Sequence, residues 1–541
     1  MYMRDDRVTE YIMPVKISGE KAAADSARLL SRFEGQIYLN DKDCCTLSGG
    51  GYLLLDFGRE LHGGVRIITE DGHDGADLRL RFGESVGEAC SDIGENGAAN
   101  DHSPRDFRVT APRLSDLTWG QTGFRFVRID NLGKEDYKFT NIVAAYVHRG
   151  EEYKGRFTCS DPLVNKIYDT AAYTLYLNMQ NRLWDGIKRD RLVWTGDMHP
   201  EVKGILSLYG AHPLVESALK ESAEHNPAPQ WITGIPTYSV WWLAVLCDYE
   251  WYTGNSDFAA DRLPYVYAVL DMLDKSVSAG GEVDFVNAEE LLDKYFLNWE
   301  TCGEEGRECG ARGLLLWTLE KCAAMLVRLK KDPAPAKKIA ARLSANNSFA
   351  GRSKAVAALY SLGYGVLRGA KDILTAGGAE GYSCFMSSYI MNALADIGQG
   401  ERAVREMKEF YGGMLSRGAT TFWESFDVSW LKGSGRIDEP TPQGLKDIHC
   451  TFGKYCYNGY RLSLCHGWAC GPVPFLSERV LGVKFTAPGG ERVKICPNLM
   501  GLEYAEGAVP TKFGKIEIRL KKKGDKVSAE YDLPSGVTLE K

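Results

Sequence analysis

The spacing of apolar and polar positions changes period twice along the chain. Over the first 150 residues it is two. Ala76-Asp77-Leu78-Arg79-Leu80-Arg81-Phe82 alternates, the pattern of a half-buried strand. Tyr52 to Phe57, Gly64 to Thr69, Phe124 to Ile129 and Ile142 to Val147 are further apolar runs of strand length. Clusters such as Ser48-Gly49-Gly50-Gly51 and Asp71-Gly72-His73-Asp74-Gly75 separate them. Short strands with this punctuation predict a β-sandwich or jelly roll over 1–150. Between Glu84 and Asp106 apolar residues are sparse, which predicts a long loop.

From Cys159 the period becomes helical. Ser160 or Asp161 is placed to cap a helix with Pro162 in its first turn. Leu163, Ile167, Ala171 and Leu175 then recur every four residues. The same pattern recurs in Val240–Tyr252, Leu263–Val277, Leu314–Leu329, Ala336–Leu343, Phe385–Ile397, Ala403–Phe410 and Arg461–Leu481. Many helices without intervening strands predict a bundle, solenoid or toroid over 151–484. No fixed-period repeat is present, which argues against a regular solenoid. After residue 484 the period returns to two. Lys515 to Leu520 alternates, Lys521-Lys522-Lys523-Gly524-Asp525 reads as a solvated turn, and Lys526 to Tyr531 as the return strand. This C-terminal β segment, 485–541, is too short to fold alone and is expected to pack on the helices.

Composition narrows the classes. The chain has 541 residues, 44% apolar and 25% charged, an ordinary globular balance. A net charge of −7, without a basic stripe, argues against a nucleic-acid partner. No uninterrupted apolar run reaches transmembrane length, and the N-terminal stretch lacks the apolar region of a signal peptide. A cytoplasmic location is therefore expected, with no membrane partner. The fourteen cysteines are scattered without paired zinc spacing and read as reduced, mostly buried thiols. Walker, Rossmann, zinc-protease and nucleophile-elbow motifs are lacking. No cofactor and no metal are expected.

Three clusters carry candidate chemistry. The densest runs from Trp184 to Glu201 and holds Asp185, Arg189, Asp190, Trp194 and Asp197. Its glycines and low apolar content predict a loop, where catalytic groups commonly sit. Carboxylates interleaved with Trp and Arg suit a sugar, which offers C–H faces to aromatic rings and hydroxyls to charged groups. The same composition fits a solvated, capped turn. In the second, Thr420 to Asp427, Glu424 is flanked by Phe422 and Trp423, a setting that desolvates a carboxyl and suits it to proton transfer. It also fits an edge of packing. The third, Ser463 to Gly471, places His466 in an apolar stretch, where a core histidine is the plainer reading. Trp299 is a further candidate pocket wall and Glu300 a reserve acid or base, while Trp231, Trp241 and Trp242 either line the pocket or pack helices, packing being the plainer reading for a tryptophan on a helix.

Taken together, these clusters resemble the signature of the bacterial α-L-rhamnosidases, glycoside hydrolase family 78. Asp185, then Arg189-Asp190, then Trp194-Thr195-Gly196-Asp197 match the family's Asp, Arg-acid and Trp-x-Gly-Asp spacing. Phe422-Trp423-Glu424 resembles its later Trp-Glu motif, and Ser463-Leu464-Cys465-His466 its Ser-Leu-x-His helix start. Leu55-Asp56-Phe57-Gly58 and Gly123-Phe124-Arg125-Phe126-Val127 resemble its β-sandwich segments. Pro510 to Gly514 and Leu533 to Val537 resemble its C-terminal β domain. The motifs span nearly the whole chain in order.

The resemblance implies an (α/α)6 six-hairpin toroid flanked by an N-terminal β-sandwich and a small C-terminal β domain. It implies an exo-acting, inverting hydrolase of terminal α-L-rhamnose. Asp190 falls on the general acid and Glu424 on the general base. Asp185, Asp197 and His466 fall on sugar contacts, and Arg189 and Trp194 belong to the same signature. Repulsion from Asp185 and Asp197 would favour a protonated Asp190, while Arg189 opposes this unless its guanidinium points elsewhere. The chain departs in having Asp190 where many members have Glu, one methylene longer. Gly186-Ile187 replaces the common Cys-Pro. A six-hairpin hydrolase of another sugar, or a carbohydrate-binding homologue without turnover, are the competing readings. The presence of both acids favours an enzyme. The expected partner is a small carbohydrate, and the flat faces of a sandwich leave a homo-oligomer open.

Overall fold

The computed structural model describes residues 5–540, except 32–34, 38, 40–42, 71–74, 289–292, 456 and 525. The expected break at 71–74, Asp525 of the lysine-rich turn and the first four residues lie outside the described set. The chain divides into two compact units: Met1–Glu151 with Tyr176–Leu192 and Gly413–His466, and Glu152–Leu175 with Val193–Gly412 and Gly467–Lys541.

The first unit is built on a seven-stranded sheet. Its strands are β1 (Val8–Ile12), β2 (Lys16–Ala24), β3 (Cys45–Thr69), β4 (Ala76–Gly83), β5 (Asp106–Ala111), β6 (Asp116–Asn131) and β7 (Tyr137–His148). Their order is β1-β7-β3-β6-β4-β5, with β2 also on β3. The runs Tyr52–Phe57 and Gly64–Thr69, read as two strands, are parts of the single β3, whose register with β6 shifts between Asp56 and Leu61 and again past Gly63. Gly63 is required there: at φ 145° a Cβ would stand 2.0 Å from the Ala145 carbonyl oxygen. Leu53, Leu55, Leu80, Phe82, Phe124 and Phe126 form the apolar interior, with Phe82 edge-on to Phe124. The stretch expected as a loop after Glu84 contains a short helix, α1 (Val86–Cys90), capped by the Ser85 hydroxyl. Val86 and Ala89 pack on Leu54 and Phe126. Five residues are too few to show a helical period.

The second unit is mostly helical. Asp161 Oδ1 accepts the N–H groups of Leu163 and Val164, starting α2 (Pro162–Asn178) as expected. There follow α3 (Met198–Leu208), α4 (Pro213–His225), α5 (Pro236–Thr253), α6 (Ser256–Asp261), α7 (Leu263–Ser276), α8 (Arg307–Arg328), α9 (Ala334–Ser344), α10 (Lys354–Tyr364), α11 (Arg368–Leu374), α12 (Ser387–Asp396), α13 (Gly400–Ser416) and α14 (Pro472–Phe475). Helix α5 is buried nearly all round and stops at Gly254, in the left-handed conformation. Helices α3, α5, α8, α10, α12 and α14 pack each on the next, and α14 packs on α3, so the six close a cycle. A cavity of about 290 Å³ is lined from all six, by His199, Asp248, Lys321, Ser361, Tyr389 and Pro474 among others.

The pattern over Arg461–Leu481 is not one helix. Gly467 to Cys470 is a 3-10 turn, α14 is a single turn, and Leu476 to Val480 is a π turn. Gly467, Gly471, Pro472 and Pro474 interrupt the backbone there, by flexibility or by missing donors. The expected C-terminal hairpin is present. β12 (Gly514–Lys523) pairs antiparallel with β13 (Lys526–Asp532). β11 (Tyr504–Thr511) joins β12 to β8 (Arg156–Cys159). A second small sheet holds β9 (Val483–Phe485), β10 (Arg492–Ile495) and β14 (Thr538–Leu539). Among the described residues, no helix is long and apolar enough to cross a membrane, and no disulfide joins the cysteines.

Candidate active site

In the first unit, chain segments far apart in sequence are tied by backbone hydrogen bonds. Glu424 N–H donates to the Ser463 carbonyl at 3.0 Å, and Ser463 N–H returns to Glu424 Oε2 at 3.0 Å. His466 N–H donates to the Phe422 carbonyl, and the Thr421 hydroxyl to the Leu464 carbonyl. The segment 463–466, read as a helix start, is not helical: its N–H groups go to the Glu424 and Glu84 carboxylates, the Ser463 hydroxyl and the Phe422 carbonyl. His466 also bridges to Gly186. From there the chain turns tightly. Asp185 N–H reaches the Leu192 carbonyl, and Leu192 N–H reaches Asp185 Oδ1 at 2.9 Å. Inside this turn Asp190 (φ 58°) and Arg191 (φ 54°) are left-handed, a costly state for residues with a Cβ and one that clusters at functional sites.

The turn aims Arg189 at both candidate carboxylates. Its Nη1 donates to Asp190 Oδ1 at 3.0 Å, its Nη2 makes a short bond to Glu424 Oε1, and its Nε donates to the Arg461 carbonyl. The guanidinium thus lies on Asp190, the opposing charge that the sequence alone left undirected. Asp190 has a second neighbour, His102, whose Nδ1 is 2.9 Å from Oδ1. His466 Nε2 stands 3.7 Å from Asp185 Oδ2 and 3.8 Å from Glu424 Oε1. Burial, with the Arg189 charge beside it, pushes His466 down to about 3, so a neutral imidazole faces the carboxylates. Trp423 is fully buried, edge-on to Phe426.

Behind this layer lies a buried charge cluster that sequence reasoning missed. Lys188 Nζ meets Glu84 Oε2 at 2.8 Å, Glu88 Oε1 at 3.2 Å and the carbonyls of Tyr460 and Leu462 at 2.8 and 2.6 Å. Glu84 in turn accepts the Leu464 N–H at 2.6 Å and the Ser463 hydroxyl at 3.3 Å. Burial raises Glu84 to about 7, against the pull of Lys188. Ligand atoms of Glu84, Glu88 and His449 lie within 4.8 Å of one another, and the tethered ammonium of Lys188 supplies the cation among them. Its position inside the densest charged stretch was the available signal. His102 and Glu84 lie where low apolar content suggested only a loop.

Trp194, Asp197, Trp242 and Trp299 belong to the second unit. There Trp194 is edge-on to Tyr238, Tyr238 to Phe296, and Phe296 to Trp299, so two of the candidate tryptophans end one aromatic run. Asp197 is buried at the start of α3. Trp242 has no exposed face and donates its indole N–H to the Leu219 carbonyl. Trp231 and Trp241 are buried likewise, and Glu300 is exposed.

Comparison with known proteins agrees with the motifs. Residues 152–257 match the family model of the bacterial alpha-L-rhamnosidase 6 hairpin glycosidase domain. An alpha-L-rhamnosidase of Alteromonas sp. (strain LOR) is 23% identical over 543 residues, covering 90% of this chain and 55% of that protein. The chain thus spans about half the length of that curated relative. The GH78 rhamnosidase of Bacillus sp. GL1 superposes with a TM-score of 0.72 at 21% identity, over 93% of this chain and 55% of that one. A rhamnosidase from Klebsiella oxytoca, solved with rhamnose bound, gives 0.66 at 20%, over 88% and 96%. The resemblance to the bacterial α-L-rhamnosidases carried by the motifs is therefore borne out by sequence relatives and by fold.

Proposed function

We propose that the chain is an exo-acting, inverting glycoside hydrolase that releases terminal α-L-rhamnose from rhamnosides or oligosaccharides. Asp190 serves as general acid and Glu424 as general base. Asp185, Arg189, Trp423 and His466, in the same unit as the two carboxylates, form or support the sugar contacts. The observation that carries this reading is the single guanidinium of Arg189 forked between Asp190 and Glu424, residues from two separate motifs. The cycle of six helices supports an (α/α)6 toroid for 151–484, flanked by a β-sandwich at 1–150 and a β domain at 485–541.

Inversion requires one carboxylic acid to protonate the leaving oxygen and one carboxylate to activate water on the opposite face. Glu424 suits the second task. Its two oxygens are fixed by donors, the Ser463 N–H and Arg189, which hold it in place to receive a proton from water. Asp190 suits the first because its turn projects it beside the more exposed rim, with 17% of its side chain open against 5% for Glu424. The neutral His466 offers a sugar hydroxyl both a donor and an acceptor.

The test is a panel of p-nitrophenyl glycosides headed by the α-L-rhamnoside, with product anomers followed by NMR. Release with β-L-rhamnose as first product is expected. Asp190→Asn on an alkyl rhamnoside, and Glu424→Gln on any substrate, should each lower turnover by roughly 10²–10⁴-fold and keep L-rhamnose binding by calorimetry. Turnover retained in both variants sinks the assignment. A second reading, hydrolysis of a different terminal sugar, is favoured by the shorter Asp190. It predicts release from another member of the panel only.

A further inference from the structure

We propose that His102, on the loop between α1 and β5, is a positioning residue for Asp190: it orients the carboxyl and holds the proton that the carboxyl delivers. The inference rests on the reading of Asp190 as the acid. That reading meets a difficulty on the page, since a general acid must arrive with a proton and Asp190 Oδ1 is already occupied by the Arg189 donor. A proton stored one hydrogen bond away removes the difficulty.

His102 is placed for this. Its Nδ1 lies 2.9 Å from Asp190 Oδ1 and 2.7 Å from the Asp190 amide nitrogen, whose N–H it accepts. Nδ1 accepts that N–H when it bears no proton and faces Oδ1 as a donor when it bears one. The first is the state left after delivery. In the loaded state the imidazolium Nδ1–H faces the Asp190 carboxylate. The proton crosses to Oδ1, and the carboxyl then gives a proton to the glycosidic oxygen as the bond to the sugar breaks and its electron pair goes to that oxygen. Glu424 takes a proton from the attacking water. His102, with 36% of its side chain exposed, regains its proton from solvent.

The loop is also built to hold that ring still. Arg191 donates to the His102 carbonyl at 2.9 Å. The Ser103 hydroxyl donates to the Lys188 carbonyl at 3.0 Å, and Arg461 pairs with Asp101 at 2.8 Å. His102 itself is left-handed, at φ 68°. Three adjoining non-glycine residues, 102, 190 and 191, thus share a strained conformation where the two segments meet. The titratable and charged groups around the ring are Asp190, Arg189, Arg191, Asp101 and Arg461.

The test uses His102→Asn, which can still hold the Asp190 N–H but cannot carry a proton, and Asp190→Asn beside it. An aglycone that leaves readily needs no acid, whereas an alkyl rhamnoside does. His102→Asn should keep kcat on 2,4-dinitrophenyl rhamnoside within about 2-fold and lose about 10-fold or more on an alkyl rhamnoside, with KM little changed. His102→Ala should regain alkyl turnover with added imidazole. An equal loss on both substrates, without rescue, means a structural role and overturns the proposal. If Asp190→Asn shows no dependence on the leaving group, the acid assignment has failed instead. NMR of the His102 ring decides without turnover: at fixed pH its Nδ1 resonance should shift in Asp190→Asn, and an unshifted resonance overturns the contact.

Discussion

Arg189 does more than complete a motif. It joins two carboxylates, and both its head group and that of Glu424 are almost fully buried. Removing one member of a buried ion pair leaves the other uncompensated and costs about 3–5 kcal/mol. Arg189→Met should therefore lower the unfolding temperature as well as turnover. Arg189→Lys should not rescue turnover, because one ammonium cannot reproduce a planar fork. A lysine variant with turnover near that of the unaltered protein would remove the fork from the argument. Glu84 gives a pH prediction. Its folded value near 7 lies above its ordinary 4.5, chiefly through burial. The folded state therefore holds more protons than the unfolded one between those values, and stability is lost as pH rises through that window. Glu84→Gln cannot ionise. Its melting temperature relative to the unaltered protein should thus rise from pH 5 to pH 7.5 and level off above. A difference independent of pH contradicts the assignment.

Elements were legible where the period was long and uninterrupted. Helix α7 and the hairpin of β12 and β13 follow from spacing, since each keeps one apolar pattern over its length, whereas α5 is apolar all round and was legible as a long apolar run. Helix α10 was missed although its residues are apolar, and α1 because five residues show no period. The segment 463–466 was misread because apolar spacing cannot reveal that its N–H groups are claimed by Glu424, Glu84, Phe422 and the Ser463 hydroxyl. Among the candidate site residues, Asp185, Arg189, Asp190 and Glu424 were singled out through motif types. Lys188 and His102 were not, because their roles arise from partners more than eighty residues away. Gly196 shows the reverse case, a motif glycine whose reason is purely steric. A Cβ there would stand 2.1 Å from the Tyr238 ring, on the helix α5 against which α3 packs. Overpacking of this kind costs roughly 1–3 kcal/mol. Gly196→Ala should lower the melting temperature, and the Gly196→Ala/Tyr238→Ala pair should be less than additive, since removing the ring removes the clash. Full additivity in that cycle excludes the steric explanation.

At the scale of the molecule, the three stretches that make the first unit are separated by long intervals of chain. The sheet region is not an appendage to the candidate acid and base. Glu84, Glu88 and His102 come from it, and they hold Lys188, Leu464 and Asp190. A fragment beginning at residue 152 keeps both carboxylates and the whole matched family segment, yet strands Lys188 without its two glutamates and frees the turn at 189–191. The loss of partners for a buried ammonium weighs against a folded site more than any missing surface contact does. Residues 152–541 expressed alone should therefore retain helical circular dichroism, because the cycle of helices lies in the other unit. They should show neither rhamnoside hydrolysis nor L-rhamnose binding by calorimetry. Supplying residues 1–151 in trans should restore some of both if the loss is one of assembly. A fragment that hydrolyses rhamnosides unaided would mean that the site forms without the sheet, and would withdraw the positioning roles given to Glu84 and His102 together.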